Sequence, residues 1–398
     1  MAGPVLRIAV RKFGPFEDAV RLQFADFCRS ERIDATLEFD SLDLIPLRDA
    51  LFGTGDGLRS GRYDVAFLNT DWLAEGVAEG KVRDLSLLMR ERPVEGYPHG
   101  WSPSLSSLPH INGRVYGLPY HDGPMCLIYR NDLITQPPAT WDDFRAASTR
   151  ASDWAGGRYG TVVAGFADGH NTVYDFCIQV WTRGGELLDS TGRPSLDTSA
   201  AREGLAFYRS LLRDPATYPD AGKIDSVKSG ELFMSGQVAL MTNWFGFAAM
   251  CQTLDTSAVR GKIGIAPIPA GSGGRNASLN VYWFLSVAAG STQPELAYRF
   301  VRHCMRPEMD KALTLAGGVG CRFSTWADGE INAAIPFFRQ LPALHENARS
   351  FPVDVRFHHL THVIEAAVLR AASTDDSINS ILADAQQQAM DSWEEGQT

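Results

Sequence analysis

Several features are missing from these 398 residues, and each absence removes a class of function. No apolar run reaches the roughly 20 residues of a membrane-spanning helix. There is no Gly-rich phosphate loop ending in Lys-Ser/Thr, no G-x-G-x-x-G after a strand and no G-x-S-x-G elbow, so the common nucleotide and serine-hydrolase signatures are lacking. No repeat, heptad pattern or low-complexity tract is visible. The cysteines (Cys28, Cys126, Cys177, Cys251, Cys304 and Cys321) show no C-x-x-C spacing and so offer no zinc or thiol-redox motif. Five of the six stand in apolar contexts and read as free buried thiols, while the even count leaves disulfides open. Positive charge is also short. A net charge of −10 argues against a general nucleic-acid binder, although it does not fix the charge of a small ligand.

What is present describes a water-soluble globular chain, with 44% hydrophobic and 21% charged residues. Its length exceeds one ordinary core, so two domains are expected. The first third alternates strand and helix signals. Val5–Val10 reads as a strand, and Phe16, Val20, Phe24 and Phe27 mark an amphipathic helix to Ser30. Ala35–Phe39 is a strand, Leu44–Leu58 a helix and Tyr63–Leu68 a buried strand, after which Thr70 or Asp71 caps a helix. That rhythm gives an α/β lobe with a largely parallel sheet, in which ligands bind beyond the carboxyl ends of the strands. The loops there are Arg11–Phe13 and Asn69–Asp71.

The stretch Gly113–Arg130 follows. Asn112-Gly113 is a turn signal, Tyr116–Tyr120 and Met125–Tyr129 are extended runs, and Tyr120, His121 and Asp122 form a polar elbow between them. Such an elbow suits a crossing from one lobe to another. Beyond it, Thr140 caps a helix and Gly160–Gly165 reads as a strand. Helices are expected over Thr172–Gly184 and Thr198–Leu212. Val238–Thr242 is a strand presenting Asn243 and Trp244, and Tyr282–Ala289 is a strand returning to the first lobe. Pro294–Ala316 is a helix interrupted at Pro307, and Leu360–Ala372 and Ser377–Trp393 are helices closing the second lobe.

Three local runs, in order, resemble the family 1 extracellular solute-binding proteins, the maltose-binding-protein-like receptors of ABC importers. Gly113–Pro119 is similar to the family's G-K-x-Y-G-x-P, Tyr129–Leu133 to its Y-N-K-D-L, and Pro137–Phe144 to its P-P-x-T-W-D-E-F. Gly236–Met241, the Pro267-Ile-Pro269 run and the last two helices extend the likeness along nearly the whole chain. Gly318–Arg322 departs from the family's G-x-P-P-R and leaves the role of Arg322 open.

The resemblance implies an α/β, two-lobed periplasmic-binding-protein-like fold of type II. Each lobe is a mixed sheet flanked by helices, and hinge strands join them. The expected lobes are residues 1–121 with 282–320, and residues 122–281 with 321–398. It also implies a binding protein rather than an enzyme, without cofactor or metal, acting as a monomer with an ABC permease as partner and no nucleic acid. The family is exported. Met1-Ala-Gly-Pro4 runs straight into a strand, which reads as a mature form whose leader is gone, a start placed too far downstream or a cytosolic relative. The first is the expectation, in the periplasm or lipid-anchored outside the cell.

A sugar presents apolar C–H faces and a rim of hydroxyls. Flat aromatic rings suit the faces, and planar or charged polar groups suit the rim. By position the aromatic candidates are Tyr120, Tyr174, Trp244 and Trp283, with Phe13 and Tyr282. The polar ones are Thr70, Asp71, His121, Asp122 and Asn243, with Arg11 and Arg322 as anion or hydroxyl partners. The solute expected is a sugar, sugar derivative or glycoside, with polyols, polyamines and organic anions as alternatives. Arg11, Lys12, His121 and Arg322 set against Asp71 and Asp122 favour a neutral or anionic one.

Each candidate also has a plainer role. Asp71 reads equally as a helix cap, and His121 with Asp122 as a hydrogen-bonded hinge pair. Trp72, Trp141, Trp154 and Trp393 read as helix packing. His358 and His362 share a helix face without a third metal ligand. Thiaminase I looks similar in fold and uses a nucleophilic Cys, which draws attention to Cys126. Its apolar neighbours Met125 and Leu127 argue for an inert thiol.

Overall fold

The computed structural model describes residues 3–352, 354 and 356–395. In chain order the main strands are β1 (Val5–Arg11), β2 (Thr36–Leu42), β3 (Val65–Asn69), β4 (Leu118–His121), β5 (Met125–Arg130), β6 (Tyr159–Thr161), β7 (Val238–Trp244), β8 (Ile263–Ala266) and β9 (Trp283–Val287). The principal helices are α1 (Gly14–Glu31), α2 (Leu44–Phe52), α3 (Thr70–Ala78), α4 (Trp141–Ala151), α5 (Asn171–Trp181), α6 (Ser199–Leu212), α7 (Ser226–Met234), α8 (Phe245–Thr253), α9 (Pro294–Cys304), α10 (Pro307–Leu315), α11 (Phe357–Ser373) and α12 (Ile378–Glu395). The chain divides into two compact units. Unit 1 comprises Met1–Gly123, Val281–Pro342 and Phe351–Val355, and unit 2 comprises Pro124–Asn280, Ala343–Ser350 and Arg356–Thr398. Each is an α/β body around a mixed sheet.

Unit 1 has the strand order β2-β1-β3-β9-β4. β1 runs parallel to β2 and β3, while β9 is antiparallel to both its neighbours. Every residue of β3 is buried, as a central strand covered on both faces requires. Phe16, Val20, Phe24 and Phe27 turn one face of α1 into that core. The family-like Gly-x-Pro run has a steric basis here. A Cβ on Gly117 would fall 2.7 Å from the Ser286 hydroxyl oxygen and 3.1 Å from Phe284 Cβ, so only glycine lets this strand lie against β9. Between Trp283 and Phe284 the register slips, Trp283 pairing with His121 and Phe284 with Pro119. Pro119 offers no N–H to the ladder, and a bulge is where such a residue is tolerated.

Unit 2 has the order β8-β5-β7-β6, with β5 antiparallel to β8 and β7, and β6 parallel to β7. Helices α5, α6, α11 and α12 pack as one layer beside it. Trp141 and Trp393 are buried as their helical spacing predicts. Trp154 is not: α4 stops at Ala151, and Trp154 rides the Asp153–Arg158 turn, 59% exposed. Three further expectations change. α2 ends at Phe52 rather than Leu58, β6 is shorter than Gly160–Gly165, and the cap of α3 is Asn69, whose side chain accepts from the Trp72 N–H at 2.9 Å. Neither Thr70 nor Asp71 performs that job.

The lobe boundary expected at residue 320 also moves, because 321–342 stays in unit 1. Buried Asp310 of α10 holds the segment there. Its carboxylate accepts from the backbone N–H of Cys321 at 2.8 Å and of Arg322 at 3.2 Å, and from the Thr325 hydroxyl at 2.5 Å. Asp310→Ala leaves three buried donors unanswered and should cost about 3 kcal/mol in urea unfolding. A loss below about 1 kcal/mol would show that another contact holds this segment.

Candidate functional site

In unit 1 the carboxyl ends of β1 and β3 lie at the edge of the sheet where β9 begins and β4 ends. Register places Trp283 between Asn69 and His121 on that edge. Trp283, His121, Phe13, Thr70 and Asp71 are all partly exposed there. Trp283 stands edge-on to Trp72 at 5.9 Å, and Trp72 is buried beneath it. His121 meets Phe16 edge-on at 4.6 Å, and Phe13 is edge-on to Phe16 at 5.0 Å and to His121 at 6.3 Å. The Thr70 hydroxyl oxygen is buried with no hydrogen-bond partner. An aromatic floor with hydroxyl, carboxylate and imidazole at its rim is a surface for a polyhydroxylated molecule.

In unit 2 the carboxyl end of β7 presents Trp244, again partly exposed. It stands edge-on to Tyr174 of α5 at 5.7 Å, and Tyr174 is edge-on to His170 at 5.6 Å. Trp244 takes up the position before the first turn of α8, with extended backbone. The loop into α5 is ordered by Asp168, one of whose carboxylate oxygens accepts from the N–H groups of His170 and Asn171, both at 2.9 Å.

A profile described as "Bacterial extracellular solute-binding protein" matches residues 48–311. The chain belongs to this family. A binding protein of Brucella abortus (strain 2308) is 26% identical over 72% of this chain and 68% of its own length. Among solved structures, maltose-bound MalE3 of T. maritima superposes with a TM-score of 0.86 at 22% identity, covering 97% of this chain and 98% of that one. A solute-binding protein of Agrobacterium radiobacter K84 in complex with ribitol gives 0.87 at 23% identity, with 98% of both chains covered. The fold is thus the two-lobed periplasmic-binding-protein type, and the chain is a substrate-binding protein of the ABC-importer kind for a small solute.

Of the residues expected to touch solute, this solute-binding protein uses several to hold itself together. Tyr120 is buried and donates its hydroxyl to Gln23 Oε1 at 2.8 Å. Tyr282 is fully buried and donates to the Leu105 carbonyl. Strand alternation explains both: Tyr120 and Tyr282 point to the core while their neighbours His121 and Trp283 point out. Arg322 is 6% exposed, lies over the Trp101 ring at 4.2 Å and donates to the carbonyls of Met305 at 2.8 Å and Glu95 at 3.1 Å. Arg11 is engaged with Asp43 at 3.1 Å. Asn243 is buried, donating to Ser226 O and Ser229 Oγ, both at 2.9 Å, while its own oxygen accepts from the Trp244 N–H. These bonds hold Trp244 in place. Asp122 is fully buried, its charge felt by His121, Tyr282 and Cys321, and its backbone N–H donates to Val319 O at 2.8 Å. Tyr174 is 3% exposed and serves as backing for Trp244. What remains at the two edges is Phe13, Thr70, Asp71, His121 and Trp283 in unit 1 and Trp244 in unit 2.

His170, Asp168 and Trp72 were passed over in the sequence. Trp72 had only helical spacing, and nothing short-range marks the first two as neighbours of Trp244. Among the described residues no cysteine forms a disulfide, and five of the six are buried. Cys126 lies inside β5 with no exposed surface, and burial pushes its thiol far up, the opposite of what a nucleophile needs. Among the described residues no three His, Cys, Asp or Glu side chains could hold a metal ion; the side chain of His358 lies outside them.

His121 does not bond to Asp122. Its Nδ1 accepts from the Val319 N–H at 3.0 Å, which leaves the proton on Nε2. Burial pushes its pKa down from 6.5 to about 4, Asp122 opposing. The unfolded chain therefore takes up this proton first as pH falls. The His121 contribution is full above about pH 6.5 and is lost progressively toward pH 4, at most about 3 kcal/mol. Urea unfolding at pH 7.5 and 5.0 should show a larger drop for the wild type than for His121→Gln. Equal drops would mean that the imidazole is free to protonate in the folded protein.

Proposed function

We propose that the protein captures a sugar, sugar derivative or polyol outside the cytoplasmic membrane and delivers it to an ABC permease, with no bond made or broken. The observation that carries this reading is the pair of partly exposed tryptophans, Trp283 in unit 1 and Trp244 in unit 2, each at a strand end and each braced edge-on by a buried aromatic ring. A flat ring held at fixed tilt offers its face to the C–H side of a pyranose or an extended polyol. The rim groups Asp71 and His121 supply hydrogen bonds to hydroxyls, the charged one being the stronger. Maltose and ribitol are named as bound in structures of this fold, and both pair C–H faces with hydroxyls. Closure of the two units on the solute belongs to the same proposal.

A thermal-shift screen against neutral sugars and polyols should raise the melting temperature with a cognate solute, by mass action on the folded state. With that solute, Trp244→Ala and Trp283→Ala should each weaken binding by about 1–3 kcal/mol. Small-angle scattering should give a smaller radius of gyration at saturation. Affinity unchanged in both variants, with only the melting temperature lowered, would assign the rings to packing and overturn the reading.

A further inference from the structure

Resting on that reading, we propose that the solute carries a protonated amine, received in unit 2 by the carboxylates gathered around the head of α5. The expectation of a neutral or anionic solute counted Arg11, Lys12, His121 and Arg322, and of these Arg11, Lys12 and Arg322 are engaged within unit 1. Unit 2 shows the opposite balance. Asp168 precedes α5, Asp175 lies on it one residue beyond Tyr174, and Glu365 reaches the same loop from α11, accepting from the Gly169 N–H at 2.7 Å and the Thr172 hydroxyl at 3.4 Å. Among the described residues none of these three carboxylates is paired with Lys, Arg or His. Acids elsewhere commonly are, as in Asp43 with Arg11, Glu75 with Arg48 and Asp328 with Lys311.

A second observation points into the same corner. Tyr208 of α6, which packs on α5, is 3% exposed, and its hydroxyl has no hydrogen-bond partner. The charges of Asp175 and Asp168 both reach that hydroxyl. A buried phenol that answers nothing is expensive, and an N–H donor between it and Asp175 would satisfy both. An ammonium group meets both needs, donating to the phenol oxygen and answering the charge of the acids. Rings are at hand as well: His170 donates Nδ1–H to the Asp168 carbonyl at 2.7 Å and abuts Tyr174, which abuts Trp244. Carboxylate beside aromatic ring is the usual setting for an ammonium group.

Proton linkage gives an independent signature. With no counter-cation, burial and Asp168 push the Asp175 carboxyl up to about 8. The elements packed around it carry Asp168 and His170 before α5, Arg202, Glu203, Tyr208 and Arg209 on α6, and His359, His362, Glu365 and Arg370 on α11, and of these Asp168 acts on the Asp175 carboxyl and Asp175 on the Tyr208 hydroxyl. Near neutral pH, arrival of an ammonium should therefore expel a proton from Asp175.

The test is calorimetry on the full chain with matched pairs, glucose against glucosamine and ribitol against its 1-amino-1-deoxy analogue, extended across a panel of neutral sugars and their amines, with spermidine as the non-sugar amine. The amine of a cognate pair should bind at least tenfold more tightly and release protons at pH 7, read from heats in buffers of different ionisation enthalpy. Asp175→Asn should cut the preference to under threefold and abolish the release. Tyr208→Phe, which removes one hydroxyl, should reduce the preference severalfold if the first variant folds poorly. Neutral members binding as tightly as amines, indifferent to Asp175→Asn, would overturn the proposal and leave the sugar reading standing. Spermidine binding alone would sustain the amine and overturn the sugar. Silence from every compound would withdraw both.

Discussion

Unit 1 depends on one strand bonded on both sides. β9 lies between β3 and β4 in antiparallel pairing, yet in sequence it follows the whole of the 124–280 segment of unit 2. Until it docks, β3 is an open edge and β4 has no sheet to join. Five buried or half-buried residues, Trp283 to Val287, thus decide whether unit 1 has a complete core. The same strand carries the bulge that turns Trp283 and His121 outward. Core and candidate binding edge are therefore set by a single register, and a slip of one residue would exchange Tyr282 for Trp283 at the surface.

The order of assembly follows. Closing β9 onto β3 joins segments separated by most of the chain, a slow step on entropic grounds. β5 and β7 must likewise find each other across more than a hundred residues, and they depend less on unit 1. Unit 2 has its own sheet and its own helical layer of α5, α6, α11 and α12, so it has the makings of an independent folding body.

Much of the architecture was legible because it follows short-range rules. Phe16, Val20, Phe24 and Phe27 announce α1, Pro307 announces the break between α9 and α10, and Gly113–Pro119 announces the approach to β9. The binding edge was half legible. Trp244 and Trp283 stand out as aromatics at strand ends, but Tyr120 and Tyr282 look the same in sequence and face inward, since alternation fixes only relative facing. Asn243 and Arg322 carried the right chemistry for a site and spend it on carbonyls and hydroxyls nearby. Which acids remain unpaired depends on where α6 and α11 come to rest, and no local pattern encodes that.

The cysteines carry a practical consequence. Five thiols are sealed in the core and none is bridged, with Cys28 alone half-buried. Burial holds Cys126, Cys251, Cys304 and Cys321 in the unreactive thiol form. A dye-bearing maleimide would therefore find almost nothing to attack. One cysteine introduced beside Trp244, with Cys28 replaced, becomes a unique attachment point, and on the proposed function a fluorophore there would report solute arrival as a change in emission. The native thiol pattern makes this receptor a ready optical sensor scaffold, with no need to rebuild its interior.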